Sequence, residues 1–172
     1  MTNSTSVATH ERWTSLSIWL HWLIVLLLLA QFAEGEFMGD LFDKGAAGVS
    51  EMTALLGYVH IGVGAIIFLA AAVRLWDRFA HGRPAAPEGE PNWAKTLARI
   101  SHALLYAILL AMPVAGFVAW FFGSELLAEL HKWAWDALMV IAGIHVLGAL
   151  VNQFWFKTGV LTRILPGHGR ST

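Results

Sequence analysis

Histidines set at regular intervals along apolar stretches carry the chemistry of this sequence. His131 and His145 stand 14 residues apart on one such stretch. On an α-helix that spacing is about 21 Å of rise and about 40° short of four full turns, so both imidazoles project from nearly one side at two depths. His60 falls at the depth of His131 and His21 at the depth of His145, each on a different apolar stretch. Ionisable side chains within membrane-type segments are costly and mark function. Two stacked pairs of imidazoles from different helices suit two b-type haems, each iron held by two axial nitrogens. Zinc would need three or four ligands converging at one level, and here two meet at each. The 172 residues include no cysteine, which excludes disulfides, iron–sulfur clusters, thiolate zinc sites and covalently attached c-type haem.

Other residues fit around the four histidines. Gly35 follows His21 by 14 and Gly116 follows His102 by 14. A helix beside a haem plate must lack a side chain there, and both glycines are candidates to line a cofactor. Gly62 and Gly64 beside His60, and Gly143 and Gly148 beside His145, suit the same need. Close helix–helix packing uses small residues in the same way. Arg74 follows His60 by 14, on the same face at the inner level, where a cation meets haem propionates or snorkels to lipid headgroups. His102 opens the third stretch at the inner level. It could replace His21 as a ligand, touch a propionate, serve a quinone or sit at the interface. Ser17, Arg99, His102 and Asn152 are polar groups near the inner ends that could contact a quinone headgroup, or be ordinary interfacial residues. His10, His81 and His168 lie in polar segments and read as solvated.

Four apolar stretches must position these groups: about 16–33, 53–76, 100–122 and 133–156. Each is near or above the roughly 18–20 residues a helix needs to cross about 30 Å of hydrocarbon. Hydrophobic residues make up 57% and charged residues only 13%, against roughly 25% charged in ordinary globular domains. That composition excludes a disordered chain, a nucleic-acid binder with a large basic surface and most water-soluble enzymes. The first stretch does not read as a signal peptide, because it is long, lacks a small-residue cleavage site and follows a segment poor in lysine. The connection 77–96 holds Pro84, Pro87 and Pro91, which forbid a continuous helix and divide the chain into two hairpins. The nine tryptophans fall mostly near span ends, as an aromatic belt does. The expectation is an all-α integral membrane protein, a four-transmembrane-helix bundle over 1–172 as one domain.

An even number of spans puts both termini on one side. That side carries nine of the eleven Lys and Arg residues, so both termini are expected in the cytoplasm. Opposite lie Lys44 and Lys132 with Glu34, Glu36, Asp40, Asp43, Glu51, Glu125, Glu129 and Asp136, a net −6, against +5 inside. A face of one sign steers partners of the other, although acidic loops also serve plain solubility.

With these residues in place, the chain resembles the bacterial cytochrome b561 family, related to the membrane b-type subunits of formate dehydrogenases and hydrogenases. The resemblance rests on His21-Trp22-Leu23; His60 with Gly64 and then Arg74-Leu75-Trp76; His102-Ala-Leu-Leu-Tyr106 with Pro113 and Gly116; and His131, His145 and the tail 157–167, KTGVLTRILPG. It implies a four-helix bundle with two non-covalent b haems stacked across the bacterial inner membrane, carrying electrons between a periplasmic redox partner and ubiquinone or another quinone. By the family pattern His21 and His145 hold the inner haem and His60 and His131 the outer one. Family members often carry a His-His pair shortly after the last ligand, where this chain has Asn152-Gln153. A role for histidine there in handling quinone or protons therefore does not carry over, although Asn can still donate to a quinone carbonyl.

Bis-imidazole iron has no open position and suits outer-sphere electron transfer. The leading expectation is an electron conduit between a cationic periplasmic protein, such as a basic c-type cytochrome, and quinone, with membrane lipid around it and no nucleic acid involved. A superoxide:quinone oxidoreductase is the alternative on the enzyme side, disfavoured by an outer face that repels an anion. A haem-bearing anchor subunit of a larger dehydrogenase is the third reading.

Overall fold

The computed structural model describes residues 13–82, 84–86 and 89–166. His10, Glu11, Arg12, Arg83, Pro87, Glu88, Gly167, His168 and Arg170 lie outside the described residues. Four long helices follow in order, α1 (Ser15–Lys44), α2 (Glu51–His81), α3 (Asn92–Phe122) and α4 (Glu125–Phe154). A short 3-10 turn at Ala46–Gly48 joins α1 to α2, and another, Leu161–Arg163, lies in the tail.

All four are long and apolar enough to cross a membrane. At 30 or 31 residues they exceed the expected spans, and at the starts of α1, α2 and α4 side-chain caps rather than hydropathy set the end. Thr14, Ser50 and Ser124 each accept a hydrogen bond from a backbone N–H three residues on, satisfying one of the free donors of a helix start. The break between hairpins is accordingly shorter than the sequence suggests. Asp77 and Arg78 continue α2, and the chain leaves it at Gly82, whose φ of 75° suits glycine. Pro91 then precedes α3. Between α3 and α4 the turn is made by Gly123 in the left-handed region (φ 63°, ψ 33°).

α1 packs along α2 and α3 along α4; the two pairs meet mainly through α2 and α3, while the backbones of α1 and α4 hardly approach. Ile24, Ile67, Ala70, Ala71, Leu109, Met112 and Leu138 form the core, where Ala70 and Ala71 let α2 sit close to its neighbours. Gly57 is used still more tightly, since a Cβ there would stand 2.5 Å from Leu41 Cδ2. Large apolar side chains such as Trp19, Leu26, Leu29, Phe32, Trp133 and Leu147 point outward. In lipid this is the expected arrangement, because the surroundings are as apolar as the core.

Candidate functional site

The fold brings the histidines together in two pairs. His60 of α2 and His131 of α4 have ring centres 6.0 Å apart with planes at 65°. His21 of α1 and His145 of α4 have centres 6.5 Å apart with planes at 69°. Two imidazoles on one metal, each with a bond of about 2.0–2.1 Å and a ring centre about 1.1 Å behind its nitrogen, stand roughly 6 Å apart. Both pairs fit this separation. The inner pair spans α1 and α4 and the outer pair α2 and α4, in each case helices whose backbones hardly approach. Phe32 and Trp135, 6.4 Å apart, bridge α1 and α4.

His102 also reaches the inner level. Its ring centre lies 4.8 Å from that of His145, edge to face at 84°, too close for a metal between the two. Its Nδ1 lies 2.6 Å from the Ala98 carbonyl one turn back. The geometry therefore favours His21 over His102 as the partner of His145.

The outer pair is held by contacts that the sequence pattern leaves unseen. His131 Nδ1 lies 2.8 Å from the Met112 carbonyl of α3. Donation there leaves Nε2 as the nitrogen available to a metal and sets the ring's direction. The approach depends on Gly116, where a Cβ would stand 2.7 Å from His131 Nδ1 and 2.8 Å from Cε1. The sequence offers Gly116 as a cofactor-lining residue; its nearest neighbour here is the His131 ring itself. Across the site, Gln31 of α1 donates from Nε2 to the His60 carbonyl at 3.2 Å. Among the described residues Gln31 Oε1, Glu34 Oε1 and His60 Nδ1 are buried without hydrogen-bond partners, so polar capacity remains beside His60. Gly35 lies exposed on the outer part of α1, with no atom within 4 Å of where a Cβ would sit.

At the inner end, Arg74 does not snorkel to the surface. It is 8% exposed, donating from Nε to the Ser17 carbonyl at 3.2 Å and from Nη1 to the Tyr106 hydroxyl at 2.9 Å. Trp13 and Tyr106 present ring faces to its guanidinium at 5.9 and 5.7 Å. A buried guanidinium one helical turn from the His21 level is suited to an anionic group such as a propionate. Ser17 is fully buried and donates to Asp77 at 2.7 Å. Asn152 follows His145 by seven residues, two turns inward on the same stripe. It is buried, with Nδ2 bonded to the Gly148 carbonyl and Oδ1 without a partner among the described residues. Arg99 is exposed and bonds within its own helix to Lys95 and Thr96. Of the four quinone candidates, His102 thus meets the inner pair, Ser17 and Asn152 are buried near the inner end, and Arg99 faces away. His81, expected as solvated, is half-exposed and pairs with Asp77. The tail folds back over this end, with Trp22 Nε1 donating to the Ile164 carbonyl at 2.9 Å and Arg163 Nη1 to the Ala85 carbonyl at 2.9 Å.

A bundle of four spanning helices with imidazoles facing one another at two depths is the architecture of a membrane cytochrome. The chain belongs to the prokaryotic cytochrome b561 family, whose model matches residues 12–167. It is 33% identical over 153 residues to cytochrome b562 of Cereibacter sphaeroides, covering 89% of this chain and 94% of that protein. It is 26% identical to cytochrome b561 homolog 1 of Escherichia coli, covering 91% and 98%. It is also 20% identical to a Yersinia pestis protein named "Probable superoxide oxidase CybB", covering 91% and 97%. The chain is therefore a haem-binding electron-transport protein that crosses the bacterial inner membrane several times, and cytochrome b membership implies haem b.

Proposed function

We propose that His21 and His145 hold an inner haem b, that His60 and His131 hold an outer one, and that the chain, acting as one unit over 1–172, passes electrons between a cationic periplasmic redox protein and ubiquinone or another quinone at the inner end. The observation that carries this reading is the metal-bridging separation of two ring pairs that share α4. When bound, each bis-imidazole haem supplies a one-electron couple with no open coordination position. His131 is oriented by Met112 and Gly116, and Gln31 of α1 ties the His60 backbone carbonyl to α1. Arg74 offsets negative charge at the inner level. His102, Ser17 and Asn152 are the groups near which a quinone headgroup would find donors, and the excess of Lys and Arg on that side supports a site in the cytoplasmic leaflet.

A cationic partner is supported by the outer charge. The two lysines of that face are each tied to a carboxylate, Lys44 to Asp40 at 2.7 Å and Lys132 to Glu129 at 3.0 Å. Neither forms a free positive funnel, so an anion approaches against the field. Superoxide oxidation is the second reading, favoured by the name of the Yersinia pestis relative. Stopped-flow mixing with superoxide separates the two: slow haem reduction with fast exchange with a basic c-type cytochrome supports the conduit, and near-diffusion-limited reduction supports the oxidase. The ligand assignment is tested by reduced-minus-oxidised spectra and haem quantification. Two haems per chain are expected in the wild type and one in each of His21→Ala, His60→Ala and His131→Ala; a colourless or single-haem wild type overturns the proposal.

A further inference from the structure

Asp77 is a buried carboxylate with no part in the electron path, yet it connects the solvent to the interior. Its Oδ1 lies 2.9 Å from Nδ1 of His81, one turn further along α2. The His81 side chain is 53% exposed and that of Asp77 only 4%. The other carboxylate oxygen accepts from Ser17 Oγ at 2.7 Å and from Thr14 Oγ1, both at the start of α1. Ser17 is wholly enclosed and sits one turn before His21. A hydrogen-bonded path therefore runs from solvent through His81 and Asp77 to two hydroxyls at the start of α1, of which Ser17 stands one turn before His21.

We infer that His81, Asp77 and Ser17 form a proton relay between the cytoplasmic solvent and the inner-end quinone site. The inference rests on the quinone reading above. Reducing a quinone to a quinol consumes two electrons and two protons and forms two O–H bonds. The periplasmic donor supplies the electrons one at a time through the protein, and the relay supplies the protons. His81 takes a proton from water and passes Nδ1–H to Asp77 Oδ1. The carboxyl turns to present its O–H to Ser17 Oγ, the Ser17 hydroxyl swings away from Asp77 Oδ2, and its hydrogen passes to an oxygen of the reduced quinone, where the O–H bond forms, as Oγ takes the carboxyl proton. Quinol oxidation runs the same steps backward.

A purely structural tie between α1 and α2 does not require a carboxylate. An amide would accept the same two hydroxyls, without the cost of a buried charge or of an anion in the last turns of α2, where the helix dipole opposes it. A carboxylate adds a negative charge that favours the buried Arg74 cation from a distance, and the capacity to gain and lose a proton. The charged and titratable groups around it suit that role. Arg74 directs Nε to the Ser17 carbonyl and Nη1 to the Tyr106 hydroxyl, and Arg78 lies over the Tyr106 ring at 5.7 Å. Among the described residues His81 is the ion-pairing partner of Asp77.

The test uses the haem-loaded protein in nanodiscs, reduced anaerobically and mixed with a short-chain ubiquinone analogue. Asp77→Asn keeps an acceptor for Ser17 and Thr14 but carries no proton. Its haem reoxidation by quinone is expected to slow at least about tenfold, in line with the loss of a positioned proton carrier, while haem content and exchange with a basic c-type cytochrome stay at wild-type values. Independently of turnover, the wild type is expected to show a redox-linked carboxyl band in the infrared difference spectrum that Asp77→Asn lacks. His81→Ala is expected to be slow and to recover with added imidazole, a response that a structural contact would not give; it also serves if Asp77→Asn fails to bind haem. Wild-type rates in Asp77→Asn or His81→Ala, or a carboxyl band that persists in Asp77→Asn, overturn the relay. A wild type that quinone does not reoxidise instead overturns the quinone reading, a distinct result.

Discussion

Gly116→Ala is the sharpest perturbation of the outer site. The added methyl would stand 2.7 Å from His131 Nδ1 and 2.8 Å from Cε1, whereas ordinary contacts begin near 3.4 Å. The ring must withdraw by about 0.7 Å, more than the roughly 0.5 Å within which a functional constellation has to be held. Withdrawal stretches the 2.8 Å bond from His131 to the Met112 carbonyl. Losing such a bond at a buried group costs about 1–3 kcal/mol, and losing a hydrogen bond that orients a metal-binding imidazole lowers metal affinity about 10–100-fold. Gly116 lies far along the bundle from His145, so the inner site should be spared. The assay is haem quantification with a redox titration of purified protein: two haems with separate midpoints in the wild type, one full and one depleted or shifted haem in Gly116→Ala. Gly116→Ala protein carrying two haems with both midpoints unchanged would refute the claim that this glycine admits the His131 ring.

Three further outcomes are expected. His102→Ala retains both haems and His21→Ala loses one, read by pyridine haemochrome stoichiometry; the opposite pattern would show that ring separation is a poor guide to the inner ligand. Neutralising the exposed Glu36, Asp43 and Glu125 together lowers the rate of exchange with a basic c-type cytochrome by about tenfold at low ionic strength, and the difference vanishes at high salt; equal rates at low salt would remove the docking role of the acidic face. Gly57→Ala forces a Cβ to 2.5 Å from Leu41 Cδ2 in a fully buried contact and costs about 1–3 kcal/mol by overpacking, seen as a lower Tm in detergent with haem spectra unchanged; an unaltered Tm would mean that Leu41 yields freely.

Much of the fold and of the candidate site is legible in the chain because the signals involved are local. The transfer cost of burying or exposing side chains in lipid marks four spans, and caps such as Thr14, Ser50 and Ser124 lie outside that signal, which is why the helices run longer than the apolar stretches. Helical periodicity alone aligns His131 with His145 at two depths and matches each to a histidine on another helix. Which helices meet is not a local property. That His21 rather than His102 stands at a metal-bridging distance from His145 depends on α1 and α4 being held apart, and only interhelix packing decides that. The sequence can mark Gly116 as small, but the ring that fills the space belongs to a residue 15 positions away on another helix. Asp77 reads as one more charge at a span end until the folding of α1 against α2 encloses it between Ser17 and His81. Periodicity and hydropathy act within one helix, whereas burial and hydrogen-bond partnership arise between helices, and they exist only once the bundle has closed.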